Sequence, residues 1–145
     1  MNWQTSHTQI ITMLRSFTVL YILVLTAIVI GADIGFLNPV SIWLHRVPFG
    51  DKLCHFVFVG MLSFLLSASF SVHLKQKRKR FVVFSTIITL VVLTSLEEMS
   101  QTMLVYRSFS RLDMLANISG TCLFGSLALL FPIRWKKVKP VSVVA

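Results

Sequence analysis

Acidic side chains are scarce in this sequence. Its 145 residues include five, Asp33, Asp51, Glu97, Glu98 and Asp113, against 14 lysines and arginines, for a net charge of +9. Charge of either sign is thin: 13 % of residues are charged and 55 % are apolar. A soluble domain carries about 25 % charged residues, so an ordinary water-facing surface is excluded. A basic balance is also found in nucleic-acid binders, but those carry their charge on a polar surface. Here the basic residues stand in short blocks between long apolar runs, a pattern suited to lipid headgroups. Membrane lipid is the expected partner, and nucleic acid is not.

Cysteine is equally sparse. Cys54 and Cys122 form no C-x-x-C or Cys/His metal spacing. Their expected depths differ by roughly 10 Å at 1.5 Å of rise per residue, which is beyond the roughly 7 Å that a disulfide bridges. Both read as apolar packing residues. The sequence has no G-x-S-x-G elbow for a nucleophilic triad and no internal repeat beyond apolar runs and loops. Barrel-type alternation is missing too, and an open sheet would leave backbone groups unpaired in hydrocarbon.

What is present is four apolar runs of about the 20 residues that a span requires. They cover residues 16–35, 52–72, 81–101 and 112–131. The fold class is therefore all-α, a single membrane domain over residues 1–145 built as a bundle of about four transmembrane helices. Arg15 followed by the run from Phe17 to Ile30 could also be read as a signal peptide. The run continues past Gly31 without a convincing cleavage pair, and its length suits a span. Pro132, Arg134, Trp135, Lys136 and Lys137 form an aromatic and basic exit from the fourth span, and Lys139 to Ala145 reads as a tail.

Basic residues orient such a bundle. Arg15, the block Lys75 to Arg80 and the group Arg134 to Lys139 fall on one side. Only Arg46, Lys52, Arg107 and Arg111 fall on the other. The first side, with both termini, is expected in the cytoplasm. All five acids fall at or near the opposite ends of the spans. Acids contribute little to orientation, so their segregation points to a polar site at the outer face.

Helical spacing gathers that site. Asp51 and His55, four apart, share a face with Lys52 beside them. Glu97, Glu98 and Gln101 form one corner, and Asp113, Asn117 and Gly120 line another helix. His55 and Asn117 lie about 6 and 8 Å below their helix starts. Ionisable groups at that depth must pair or line a wet cavity. Arg107 and Arg111 are the expected partners of Glu97, Glu98 and Asp113, because a guanidinium binds carboxylate bidentately. Simpler readings stand beside this one. Asp51 can cap its helix, and Ser110 with Asp113 fits a capping box. Ala116 with Gly120 fits a small-xxx-small contact. The block Lys75 to Arg80 reads as a topology signal. Phe36 to Gly50 reads as an interfacial segment anchored by Trp43, able to cover the site.

The order Asp51-Lys52, His55-Phe56, Glu98, Gln101, Arg107, Asp113, Asn117 and Gly120 resembles the VanZ-like membrane family over about residues 51–125. The first acid of the pair, Glu97, is often Asp in that family, and Leu104-Val105-Tyr106 stands where Pro-Gly is expected. The resemblance implies a small multi-span protein of the bacterial plasma membrane, related to one linked to teicoplanin resistance, with no settled biochemical activity.

Three functions follow as expectations. A binding protein would recognise an envelope lipid, a lipid-linked cell-wall precursor or a glycopeptide through Asp51, Lys52, His55, Glu97, Glu98, Gln101, Arg107, Asp113 and Asn117. A membrane enzyme would use His55 with Glu97 or Glu98 as acid and base or as metal ligands. One histidine in the cluster argues weakly for zinc, so neither a metal site nor a cofactor is expected. A structural protein would use the cluster as an ion-pair lock. The oligomeric state stays open.

Overall fold

The computed structural model describes residues 3–130, with side chains from Thr8 onward apart from His45. The expected anchor from Pro132 to Lys137 and the tail after it lie outside the described residues. Five α-helices follow one another: α1 (Trp3–Asp33), α2 (Asn38–Arg46), α3 (Gly50–Ser71), α4 (Gln76–Ser100) and α5 (Arg111–Leu127). Short 3₁₀ turns, Gln101–Met103 and Ala128–Leu130, extend α4 and α5, and no strand occurs among the described residues. Four segments are long and apolar enough to cross a membrane: Thr8–Asp33, Gly50–Ser71, Gln76–Met103 and Arg111–Leu130. The chain is an all-α, multi-span membrane protein.

The helices run past the apolar stretches that mark them in the sequence. α1 and α4 begin several residues before the expected starts at 16 and 81. The reason at α4 is that Gln, Lys and Arg are good helix formers and their long stems can run along apolar surface. Hydropathy therefore locates the hydrocarbon-facing part and misses the polar turns.

The connections are set locally. Gly35 adopts φ +80°, a backbone that a side chain disfavours, and the chain reverses there after α1. Pro39 sits in the first turn of α2, where its missing N–H is no loss. Val47, preceding Pro48, is extended and stops that helix. α3 starts from Phe49, itself in the left-handed region at φ 60°. Asp51 therefore lies inside the first turn and does not cap α3, contrary to one sequence expectation. Its charge still favours the helix N-terminus.

Packing is inverted relative to a soluble protein. Leu23, Phe84, Leu93 and many other large apolar side chains face outward, whereas Ser63, Ser67, Thr121, Asn117 and Glu98 are completely or almost completely buried. Lipid is as apolar as leucine, so close approach of small residues replaces hydrophobic burial as the packing force. α3 and α5 make the most extensive helix contact. Gly60 and Gly120 bring them together, with Phe56 and Phe124 packed edge to face at 5.5 Å. The Ser63 hydroxyl adds a bond to the Thr121 carbonyl, 2.9 Å. A small apolar core of Ala68, Val83 and Ala128 closes the other end of the bundle. α1 lies against α3. There Thr18 and Ser69 share a buried hydroxyl bond of 2.7 Å.

Candidate functional site

The end of α4 supplies the floor of the polar cluster. Glu98 and Gln101, three apart, turn inward and are buried, while Glu97 stays partly exposed. Gln101 links the pair: its Nε2 donates to Glu97 Oε1 at 2.9 Å and to Glu98 Oε2 at 3.4 Å. Its Oε1 in turn accepts from Arg107 Nε at 3.3 Å.

Glu98 also completes the start of α5. Ser110 caps that helix, its hydroxyl accepting from the Asp113 N–H at 3.3 Å. In a capping box the third helical side chain reaches back to the backbone N–H of the cap residue. Here the Ser110 N–H donates instead to Glu98 Oε1, 3.0 Å away on another helix. Half of the expected box is thus local and half is tertiary. The carboxylate of Asp113 is released, and it lies 3.0 Å from Lys52 Nζ. Lys52 also pairs with the adjacent Asp51, so one ammonium sits between two carboxylates.

Deeper between α3 and α5, His55 Nδ1 lies 3.2 Å from Asn117 Oδ1. A carbonyl oxygen can only accept, so Nδ1 donates the proton and Nε2 is left to accept when the ring is neutral. His55 therefore meets an amide and makes no hydrogen bond to Glu97 or Glu98. His55 and Glu98 are thus not hydrogen-bonded to each other, and they interact only electrostatically. Among the described residues no group of three or more His, Cys, Asp or Glu side chains is placed to hold a metal ion. Cys54 and Cys122 are free thiols.

Arg107 closes the cluster from the loop between α4 and α5. Its two terminal nitrogens lie 3.7 Å from Asp33 Oδ1 and 3.9 Å from Glu97 Oε1. The expected bidentate pair is replaced by a guanidinium straddling two helices. Asp33 was legible as one of the five acids, but nothing in local spacing marked it as part of the site. Beside it, Gly35 packs on the Tyr106 ring, where an added Cβ would come within 2.9 Å. The turn after α1 is thus what meets the α4–α5 loop. Trp43, the expected interfacial anchor of the segment from Phe36 to Gly50, is exposed, and its helix contacts α3.

Arg111 takes no part. It is exposed and forms no ion pair among the described residues. At 100° per residue it stands about 200° around α5 from Asp113, on the opposite face. Lys52 takes its place as the partner of Asp113. The expected residues Asp51, Lys52, His55, Glu97, Glu98, Gln101, Arg107, Asp113 and Asn117 do meet at one end of the bundle. Their connections differ from those expected.

The cluster has a buried floor and a partly open rim. Glu98, Gln101 and Asn117 are at most 2 % exposed. At the rim the side chains of Asp51, Lys52, Arg107 and Glu97 are 18, 25, 19 and 34 % exposed. Charges of both signs therefore alternate at the surface over a hydrogen-bonded base. In comparisons with family models, curated proteins and solved structures, the chain matches none.

Proposed function

We propose that this membrane protein is a VanZ-like binding protein of the bacterial plasma membrane. Its polar cluster faces away from the cytoplasm, and both termini lie inside. The cluster recognises the polar part of an envelope lipid, a lipid-linked cell-wall precursor or a glycopeptide. The observation that carries this reading is the rim, where Lys52 and Arg107 are each held between two carboxylates and remain partly accessible. A ligand carrying both a cationic and an anionic group can exchange into such contacts without leaving a charge unmatched. Hydrogen bonds to charged groups in a partly dry site are strong enough to select it. The motif order around Asp51, His55, Glu98 and Asp113 supports the family assignment, and the lysine and arginine bias supports the orientation.

A second reading, a structural lock, is favoured by the complete burial of Glu98. Arg107 separates the two, because its ion pairs are long and its side chain is partly open. Under the binding reading, Arg107→Ala loses glycopeptide resistance or ligand binding while membrane level stays unchanged. Arg107→Lys does not restore it, since a single ammonium lacks the planar fork whose Nε reaches Gln101 while its two terminal nitrogens face Asp33 and Glu97. Retained binding in Arg107→Ala would overturn the binding reading. A fall in folded protein, rescued by removing Asp33 and Glu97 as well, would establish the lock.

A further inference from the structure

Away from the polar cluster, α3 and α4 leave an apolar hollow of about 430 Å³ between them. One wall is the row Phe81, Ser85, Thr89 and Leu93, spaced four apart and so stacked on one face of α4. Small side chains at 85 and 89 stand between large ones at 81 and 93, so the row is recessed in its middle. Leu66 and Phe70 of α3 form the facing wall. From Phe81 to Leu93 the row climbs about 18 Å. That is close to one leaflet, about half of a 30 Å hydrocarbon core.

The Phe81 end of the hollow opens beside Lys75, Lys77, Arg78 and Arg80, all exposed. Every acid of the chain stands at the other end of the bundle. The ion pairs among the described residues are all there as well. These cations also crowd the N-terminal turn of α4, where the helix dipole already disfavours positive charge. A counter-charge from outside the protein relieves both strains at once. Apolar slot and cationic mouth together describe an amphiphile with an anionic head.

We propose that this hollow binds an acyl chain of an anionic phospholipid whose phosphate group rests between Lys77 and Arg78, which lie four and three residues before Phe81 and so flank its row on α4. Ser85 and Thr89 also form a small-xxx-small pair, the kind of step on which two membrane helices dock. A second copy in parallel orientation would, however, bring two basic runs together, and the charge pattern disfavours it.

The test is native mass spectrometry of the full chain released from nanodiscs of equal parts phosphatidylglycerol and phosphatidylcholine. The wild type is expected to retain phosphatidylglycerol at least threefold over phosphatidylcholine. The double variant Ser85→Leu/Thr89→Leu fills the recess from two lipid-facing positions and should release the bound lipid, with helix content by circular dichroism unchanged. The variant Lys77→Gln/Arg78→Gln should keep a lipid and lose the preference. Equal retention of both lipids by the wild type would overturn the proposal. So would lipid retention unaffected by the double variant, or a dimer that the double variant dissociates.

Discussion

Replacing Glu98 by alanine is expected to remove about 2–4 kcal/mol of folding stability, measured by unfolding in bicelles. Glu98 is fully buried. Its Oε1 is the acceptor for the Ser110 N–H, the donor that starts α5, and its Oε2 receives Gln101. Truncation leaves that N–H without a partner and opens a void where three segments meet. Glu98→Gln keeps a carbonyl oxygen for Ser110 and nearly the same volume. It loses only the longer bond to Gln101, because two amide nitrogens would then face each other. Its cost should be about 1 kcal/mol. If alanine and glutamine cost the same, the bond to Ser110 does not hold the start of α5.

The second large effect is expected at Gly120. A Cβ there would strike the Phe56 carbonyl oxygen, with the Phe56 carbonyl carbon and Cα at 3.0 and 3.1 Å. All three are backbone atoms, so the only relief is separation of α3 from α5. Overpacking typically costs about 1–3 kcal/mol. Gly120→Ala should reach the upper end of that range, because no side chain can move aside. Gly60→Ala is the comparison. Its Cβ would meet the Phe124 ring at 2.7 Å, which can rotate away, with the Gly120 carbonyl oxygen farther off at 3.1 Å. The smaller loss is therefore expected at Gly60, again by unfolding in bicelles. A neutral Gly120→Ala would mean that the two helices do not cross at Phe56.

The spans and most members of the polar cluster were legible in the sequence, from apolar run length and from helical spacing. Apolar runs of sufficient length give the helices, and spacings of three and four put Glu98 with Gln101 and Asp113 with Asn117. The wiring was not legible. Periodicity fixes the direction of a side chain but not its reach across to another helix, so Lys52 was not matched to Asp113. Arg111 looked equivalent to Arg107 by proximity in sequence, yet a rotation of about 200° from Asp113 takes it out of the cluster. Backbone donors leave no trace in a pattern of side chains, and the Ser110 N–H that engages Glu98 was hidden for that reason. Asp33 was missed as a site residue because its partner, Arg107, lies in a loop remote in sequence. The loop residues are Leu104-Val105-Tyr106, where the resemblance seen in the sequence leads to an expected Pro-Gly. Of these three, Tyr106 has a visible structural role, as the surface on which Gly35 packs.

The separation of the acidic cluster from the basic start of α4 by the thickness of the membrane underlies both the proposed site and its orientation. Single cysteines at Ser108, in the loop between α4 and α5, and at Lys77, in a background lacking Cys54 and Cys122, measure that directly. A membrane-impermeant maleimide applied to intact cells should label the cysteine at 108 and should reach the one at 77 only after permeabilisation. Labelling of both positions from the same side would contradict it.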